Sequence, residues 1–395
     1  MRFDIFFSIC QTEVNGYLPT ERKMFENFFS QVKVADQLQF GTAWVAETHL
    51  SCQIQKQNPG AVIPHFKGEI GLNTDILQLA HKIFGMTKNL HVGSAIMNIL
   101  CNGGPIAHAE AIRTFLTYHG FDQNEKRLLD IGFASGRFPF SNTPYGIRPR
   151  NETEAAAWGP LRLKVFQEAT EIFLRLLRGD VLASNNVTPK ILRAKDFRKP
   201  EDWERVIKAY GKMVDEIEVP SFFNFDKVGV IPFDAPMNLL RLTIGCHDLE
   251  TQILANKFLP CGVFNLSITP TPQIEATHQA MLQNFHKDGG TWTRGHMPRT
   301  VLVFIDEKMN VAKDRAKKAM ENYWKAIEGT LDPMKITNAV DNALVGDAAA
   351  IKAQIEARFH RDDRLMLWFD FNNHDTQDVE RSMRMFMDQV APGFR

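Results

Sequence analysis

Strand-like and helix-like segments alternate eight times along the 395 residues, and this alternation limits the possible folds more than any other feature. Residues 2–9 are β-rich. After a turn at Pro19 and Thr20, the residues Phe25, Phe28, Phe29, Val32, Ala35 and Leu38 recur at helical spacing until Gly41. Residues 42–46 read as a second strand, 76–84 as a helix and 91–99 as a third strand, and Pro105 opens the next helix. A fourth strand at 128–133 precedes a long helix with Val165, Phe166, Ala169, Ile172, Phe173 and Leu176 on one face, ending at Gly179. Strands follow at 240–245, with Asp248 as a helix cap, and at 262–268, with Thr271 as a cap and Pro272 at the first helical position. A seventh strand at 300–305 leads into a helix carrying Ala312, Ala316, Ala319, Tyr323 and Ile327. The eighth, at 365–371, is followed by a helix capped by Asp375 with Val379, Met383, Phe386, Met387 and Val390 inward.

Eight parallel strands close without leaving an edge, so the pattern predicts an α/β chain folded as a single (β/α)8 TIM barrel over residues 1–395. A doubly wound open sheet is the alternative. That fold calls for a glycine fingerprint after the first strand, and the run from Ile5 to Gly16 has no GxGxxG. Two polar, proline- and glycine-broken stretches interrupt the alternation, about 51–73 after strand two and about 180–220 before strand five. In a barrel, a loop that follows a strand lies over the active-site mouth, so the first insertion is expected to shape the substrate pocket. The second follows a helix and reads as structural, with a short helix at 203–214.

Charge narrows the function classes. Lys and Arg total 46 and Asp and Glu total 46, a formal balance of zero. Without a basic field the chain is not expected to bind nucleic acid. No apolar run approaches the ~18–20 residues that cross a bilayer, and Arg2 and Asp4 stand where a signal peptide would build its apolar stretch, so no membrane role is expected. Five cysteines, an odd number without a CxxC pair, support neither a disulfide framework nor a zinc ribbon and suggest the cytoplasm.

A barrel performs its chemistry at the C-terminal ends of its strands. After strand two come Glu47, Thr48 and His49. Glu47 and His49 fit a general base and acid, a pair of metal ligands, or a hydrogen-bonded structural pair. A metal needs further ligands, and the other strand ends supply only Asn98, Cys246, His247, Asp370 and Asn372, with no HxH or HExxH spacing, so no metal site is expected. Strand four ends in Gly132-Phe133-Ala134-Ser135-Gly136-Arg137, where small residues admit a ligand to the backbone and an arginine can hold a phosphate. Strand five ends in Cys246-His247-Asp248 at a helix start, whose free N–H groups suit an anion. Arg162 lies in the first turn of its helix, where a cation opposes the macrodipole unless it serves an anion.

Taken in order, these motifs resemble the bacterial luciferase-like, flavin-dependent monooxygenase family. The opening MRFDIFF is similar to its first strand, and the run from Phe40 to His49 to its second-strand Gly-Phe-Asp-x-x-Trp leading into Glu-His-His. Val92 to Ile96 resembles its third strand, Pro105 with Ala109 and Glu110 its next helix, and Ile131 to Arg137 its fourth strand. Val345-Gly346-Asp347 is similar to its Val-Gly-Thr-Pro helix start, and the end, from Met385 to Pro392, to its closing Leu-Phe…Val-Met-Pro.

The resemblance implies a barrel that holds reduced FMN and activates O2 at the flavin C4a atom as a (hydro)peroxide to oxidise a small organic substrate. A separate flavin reductase and a homodimer are implied with it, and a deazaflavin could take the place of FMN. Ala95 and Ile96 would lie under the flavin ring, where the family often has a non-proline cis peptide. Gly136, Arg162 and the backbone at Cys246 and His247 would hold the phosphate, with Asp248 next to them. Phe6, Ile96, Asn98 and the first insertion would line the substrate pocket.

Several positions depart from the family. Its catalytic base is Thr48 here and only the second histidine remains, as His49, which argues against light emission from an aldehyde. Ala134 replaces a reactive cysteine, and Ser135 replaces a phosphate-binding arginine that Arg137 could stand in for. Residues 327–345 are too few for the long lid of the luciferase α subunit. A non-catalytic flavin-binding partner subunit resembling the β chain, and a metal-dependent hydrolase using Glu47 and His49, stand as alternatives.

Overall fold

The computed structural model describes residues 1–57, 65, 67–329 and 340–395. Eleven strands occur among them: β1 (Arg2–Phe7), β2 (Thr42–Val45), β3 (His91–Asn98), β4 (Leu129–Ala134), β5 (Lys190–Arg193), β6 (Glu216–Val219), β7 (Leu240–Ile244), β8 (Cys261–Val263), β9 (Arg299–Ile305), β10 (Leu344–Gly346) and β11 (Arg364–Trp368). Nine form one parallel sheet in the order β10-β9-β11-β1-β2-β3-β4-β7-β8. The sheet curls back on itself. A parallel bridge joins Asn265, just past β8, to Arg299 at the start of β9, and the Thr300 N–H donates to the Asn265 carbonyl at 3.0 Å.

Strands of the parallel sheet such as β1, β4, β9 and β11 are buried on both faces over most of their length, as parallel strands under helices are. All four residues of β2 are buried. Helices join consecutive strands, and their apolar stripes face the sheet. In Trp158–Arg178 the buried stripe includes Val165, Phe166, Ala169, Ile172, Phe173 and Leu176, and each large side chain so buried contributes roughly 1.5–3 kcal/mol. Gly179, at φ 101°, ends this helix in the left-handed conformation that glycine adopts without penalty. Thr20, Asp248, Asp347 and Asp375 cap helices by accepting backbone N–H bonds.

Several expectations need correction. The parallel sheet has nine strands rather than eight: β10 joins it beside β9, so Val345 and Gly346 belong to a strand, although Asp347 does cap the next helix. The second insertion contains an antiparallel pair, β5 with β6, and its helix runs Pro200–Tyr210 rather than 203–214. The sixth and eighth strands stop at Val263 and Trp368. Thr271 is already helical, with Pro270 flanking it, so the expected cap is one residue off. Residues 58–64 and 66 of the first insertion, and 330–339 of the segment 327–345, lie outside the described residues. No helix among the described residues is long and apolar enough to cross a membrane.

Even-numbered residues of β1, β2, β4 and β11 point into the curl, as their contacts across it show. At the N-terminal end Arg364 donates to Asp4 Oδ2 at 2.6 Å and to Thr42 Oγ1 at 2.8 Å, and reaches Asp130 at 3.4 Å, although three strands stand between β11 and β4 in the sheet. Arg241 grips Asp130 by two bonds of 2.7 and 2.6 Å, and the Trp44 indole N–H donates to Asp4 at 2.7 Å. The next layer up is apolar, with Phe6, Trp44, Phe264 and Met366 packed together and Ala46, Ala95, Ile96 and Trp368 against them.

Candidate functional site

The apolar layer lies in the C-terminal half of the curl. Phe6 and Trp368 pack at a tilt of 55° with ring centroids 4.6 Å apart, and Trp44 meets Phe264 edge-on at 5.7 Å. Ala95 and Ile96 are joined by a cis peptide bond, and the pairing of β3 with β4 changes register between Ser94 and Met97. Glycines make room for this strand. A Cβ at Gly245 would lie 2.5 Å from Ile96 Cδ1, and one at Gly132 would collide with the Ser94 carbonyl oxygen. Phe6, Ala95 and Ile96 therefore meet in one place.

Ser135, Gly136, Arg137 and Arg162 also come together. With Asn142, Arg148 and Trp158 they line a cleft of about 70 Å³ at the end of β4. None of the guanidinium groups of Arg137, Arg148 and Arg162 has a salt-bridge partner among the described residues. In a chain whose charges balance, three unpaired cations around one cleft make a local positive field suited to an anion. Arg148 was not singled out from the sequence, because it sits in a loop with no strand end or helix start to mark it. Its spacing of two residues before Arg150, which pairs with Glu154, was the available signal.

Asn98 does not face the apolar layer. Its Nδ2 donates to Asn142 Oδ1 at 2.7 Å and Ser141 Oγ at 3.3 Å, its Oδ1 accepts from the Leu100 N–H, and Gly136, at φ 72°, packs against it. Asn142 in turn donates to the Ser135 carbonyl at 2.9 Å. Asn98 thus fixes the loop that carries Ser135 and Arg137.

Glu47 and His49 are together but on the other side of the sheet. Odd residues of β2 face the helices, and His49 Nε2 lies 3.1 Å from Glu47 Oε1 with the two residues 7% and 8% exposed. The Ile76 N–H donates to Glu47 Oε2 at 3.2 Å, and His108 and Cys101 are close enough to feel the Glu47 charge. Burial pushes the Cys101 thiol up to about 12 and lowers His108. Thr48 accepts from the Ser51 hydroxyl at 2.7 Å and lies 3.4 Å from the Gly71 carbonyl, tying down the first insertion. We expect Glu47→Ala to cost about 1–3 kcal/mol, the price of leaving the Ile76 N–H and His49 unpartnered, with FMN affinity unchanged. Urea unfolding and an FMN titration check this; unchanged stability would refute it.

Cys246, His247 and Asp248 do not line the cleft of Arg137 and Arg162. Asp248 accepts from the Thr251 N–H at 2.8 Å, Gln252 donates to the Cys246 carbonyl at 2.8 Å, and His247 Nε2 lies 3.3 Å from Thr269 Oγ1. Burial raises the Cys246 thiol, which keeps it from acting as a ready nucleophile. Among the described residues, no group of three His, Cys, Asp or Glu could hold a metal ion.

Comparison with solved structures places the architecture. The monooxygenase RslO1 from Streptomyces bottropensis superposes with a TM-score of 0.69 at 17% identity, covering 100% of both chains. The chain has its fold. The oxygenating constituent of 3,6-diketocamphane monooxygenase from Pseudomonas putida, in complex with FMN, matches at 0.57 and 13% identity over 100% of this chain and 99% of that one. An F420-dependent secondary alcohol dehydrogenase with an F420-acetone adduct matches at 0.56 and 14%, over the same shares. No family model and no curated protein matches the sequence. Two of these structures are named as oxygenating enzymes, and two have FMN or F420 in the name.

Proposed function

We propose that the chain is a flavin-dependent monooxygenase of the luciferase-like family, a single (β/α)8 domain over residues 1–395 that binds reduced FMN, with a separate reductase delivering the flavin. The observation that carries this reading is a cleft of three arginines with no carboxylate partner among the described residues, past the end of β4, together with an apolar, aromatic-lined layer in the C-terminal half of the same sheet. A flavin mononucleotide has both parts, a dianionic phosphate and a flat apolar ring. The residues present fit it: guanidinium groups and the Gly136 backbone suit the phosphate, and the glycines beside Ile96 leave no Cβ between the strands and the ring's seat.

When bound, reduced FMN would supply the electrons and the activation of O2. The chain's own residues do the rest. Arg137, Arg148, Arg162 and the Ser135 hydroxyl hold the phosphate. Ala95, Ile96, Phe6 and Trp44 seat the ring, while Phe264, Met366 and Trp368 keep water from it. Glu47 and His49 hold the end of β2 and the start of helix Ile76–Met86 in place.

The test is a titration with FMN and with riboflavin, which lacks the phosphate. Arg137→Ala, Arg148→Ala and Arg162→Ala are each expected to weaken FMN about tenfold, the worth of one charge-assisted contact, and to leave riboflavin unchanged. Equal losses for both flavins, or no FMN binding by the unaltered protein, would remove the proposal. The same titration with F420 separates FMN from a deazaflavin.

A further inference from the structure

A cavity of about 540 Å³ opens at the N-terminal end of the sheet, away from the arginine cleft. It reaches into the curl: Asp130, Arg241 and Arg364 line it from inward positions, and Thr243 continues the alternation of Arg241 along β7. Three guanidinium groups surround it, those of Arg2, Arg241 and Arg364. Arg241 and Arg364 are engaged with Asp130, and Arg364 also with Asp4. Arg2 is the surplus charge, since its guanidinium has no salt-bridge or hydrogen-bond partner among the described residues. It pairs with Arg364 in the register of β1 with β11, which sets two like charges on neighbouring positions. The other carboxylate of the lining, Asp288, is largely exposed and lies 3.8 Å from His286 Nδ1.

The same cavity holds an unused hydroxyl. Thr243 is 4% exposed, and its Oγ1 has no hydrogen-bond partner among the described residues. A Cβ at Gly262, which also lines the cavity, would lie 3.5 Å from that oxygen, so the hydroxyl faces space that the glycine leaves open. The turn at 294–296 forms another wall. A Cβ at Gly295 would lie 3.8 Å from Arg2 Nη1, and the His296 ring packs on Phe285 with centroids 4.7 Å apart. Burial, and with it the charges of Arg2, Arg364 and Arg241, holds the His296 imidazole below its ordinary range although the Thr293 carbonyl favours its proton. Met237, Leu240, Leu259 and Phe285 complete the lining, each only partly buried, so an apolar ligand would cover surface that water now wets.

We propose that this cavity binds a small aromatic carboxylate, as a second ligand site remote from the flavin. The carboxylate accepts from the Arg2 guanidinium, from the Thr243 hydroxyl and from Arg241 Nη1, since Arg241 grips Asp130 through Nε and Nη2 only. The ring of the ligand lies against Phe285, Leu259 and Met237. One surplus cation suits a single negative charge, whereas a phosphate dianion would bring its second charge against Asp130. The volume is adequate, because small-molecule sites run from roughly 300 to 1,000 Å³. The arginine cleft lies past the end of β4 and this cavity at the beginning of the strands, so the acid and a flavin bind together.

The experiment is calorimetric titration at pH 7 without flavin, using phenylacetate and its neutral counterpart phenylacetamide. Phenylacetate should bind about tenfold more tightly, the worth of one charge-assisted contact. Arg2→Gln, at an exposed position, should weaken phenylacetate alone and so abolish the difference. Thr243→Val, which keeps the shape, should weaken both ligands several-fold, since each offers an oxygen to the hydroxyl. Saturating FMN should leave the phenylacetate dissociation constant unchanged. The proposal is overturned by equal binding of the two ligands to the unaltered protein, by no binding of phenylacetate, or by its displacement by FMN. It is overturned equally by an Arg2→Gln protein that still prefers phenylacetate, or by a Thr243→Val protein that binds both as the parent does. If Thr243→Val does not fold, the Arg2→Gln comparison decides the matter alone. Because the main titration contains no flavin, its outcome is distinct from that of the FMN and riboflavin titration.

Discussion

Replacing Arg364 by methionine is expected to lower the unfolding free energy by about 3–5 kcal/mol and to leave FMN affinity unchanged. Arg364 is the sole salt-bridge partner of Asp4 among the described residues and one of two for Asp130, and all three side chains are at most 7% exposed. Removing the cation strands the Asp4 carboxylate in the interior with only the Trp44 N–H and Thr42 N–H to satisfy it. Methionine fills the volume, so the loss reports the charge rather than a cavity. The network also sets the response to acid. Burial works to raise Asp130, but Arg241, Arg364 and the bonds from Arg241 and Thr42 hold it down to about 2. A depressed carboxylate contributes stability above its unfolded pKa, near 4, and loses it as pH falls toward 2. Without Arg364 the folded value rises toward the unfolded one, so less stability should be lost across that window. Urea unfolding at pH 7 and an acid titration of both proteins measure it; an Arg364→Met protein as stable as the parent would show that the network carries no weight. The FMN result matters as much, because this end of the sheet is opposite the arginine cleft.

The same two ends show what the sequence made legible. The strands were visible because each is a run of apolar residues bounded by glycine, proline or a helix cap, and parallel burial leaves that run nearly intact. β10, three residues long, and the antiparallel pair β5 and β6 were not, since Leu344–Gly346 is too short for a pattern and Lys190–Arg193 mixes charge with two apolar residues. Site residues followed a similar rule. Ser135, Gly136 and Arg137 stand at a strand end and Arg162 at a helix start, so topology alone gathers them. Arg148 arrives from a loop that local sequence does not orient. Glu47 and His49 show the opposite difficulty: in a strand buried on both faces the hydrophobic pattern does not say which residues point inward, and a tempting pair at a strand end turned toward the helices.

Alanine at Gly132 and alanine at Gly245 should differ sharply, although both add one methyl to the same inner surface. At Gly132 the new Cβ meets the Ser94 carbonyl oxygen, which belongs to the backbone of the adjacent strand and is held by the β3 to β4 pairing of Ser94 with Ile131. Backbone inside a parallel sheet cannot yield without breaking neighbouring bonds, so we expect a loss above about 4 kcal/mol, the range reserved for such forced clashes, or no soluble protein. At Gly245 the nearest atom is Ile96 Cδ1 at 2.5 Å, the free end of a side chain, with Ala134 Cβ next at 3.3 Å. Turning that end aside costs roughly 1–3 kcal/mol, the usual penalty of overpacking. The displaced Ile96 then presses on the seat proposed for the flavin ring. Gly245→Ala should therefore fold and bind both FMN and riboflavin several-fold more weakly, unlike the arginine variants, which separate the two flavins. Urea unfolding and the paired flavin titrations read both effects. If the two alanines cost the same, or if Gly245→Ala binds both flavins as the parent does, then Ile96 is not what the ring rests on.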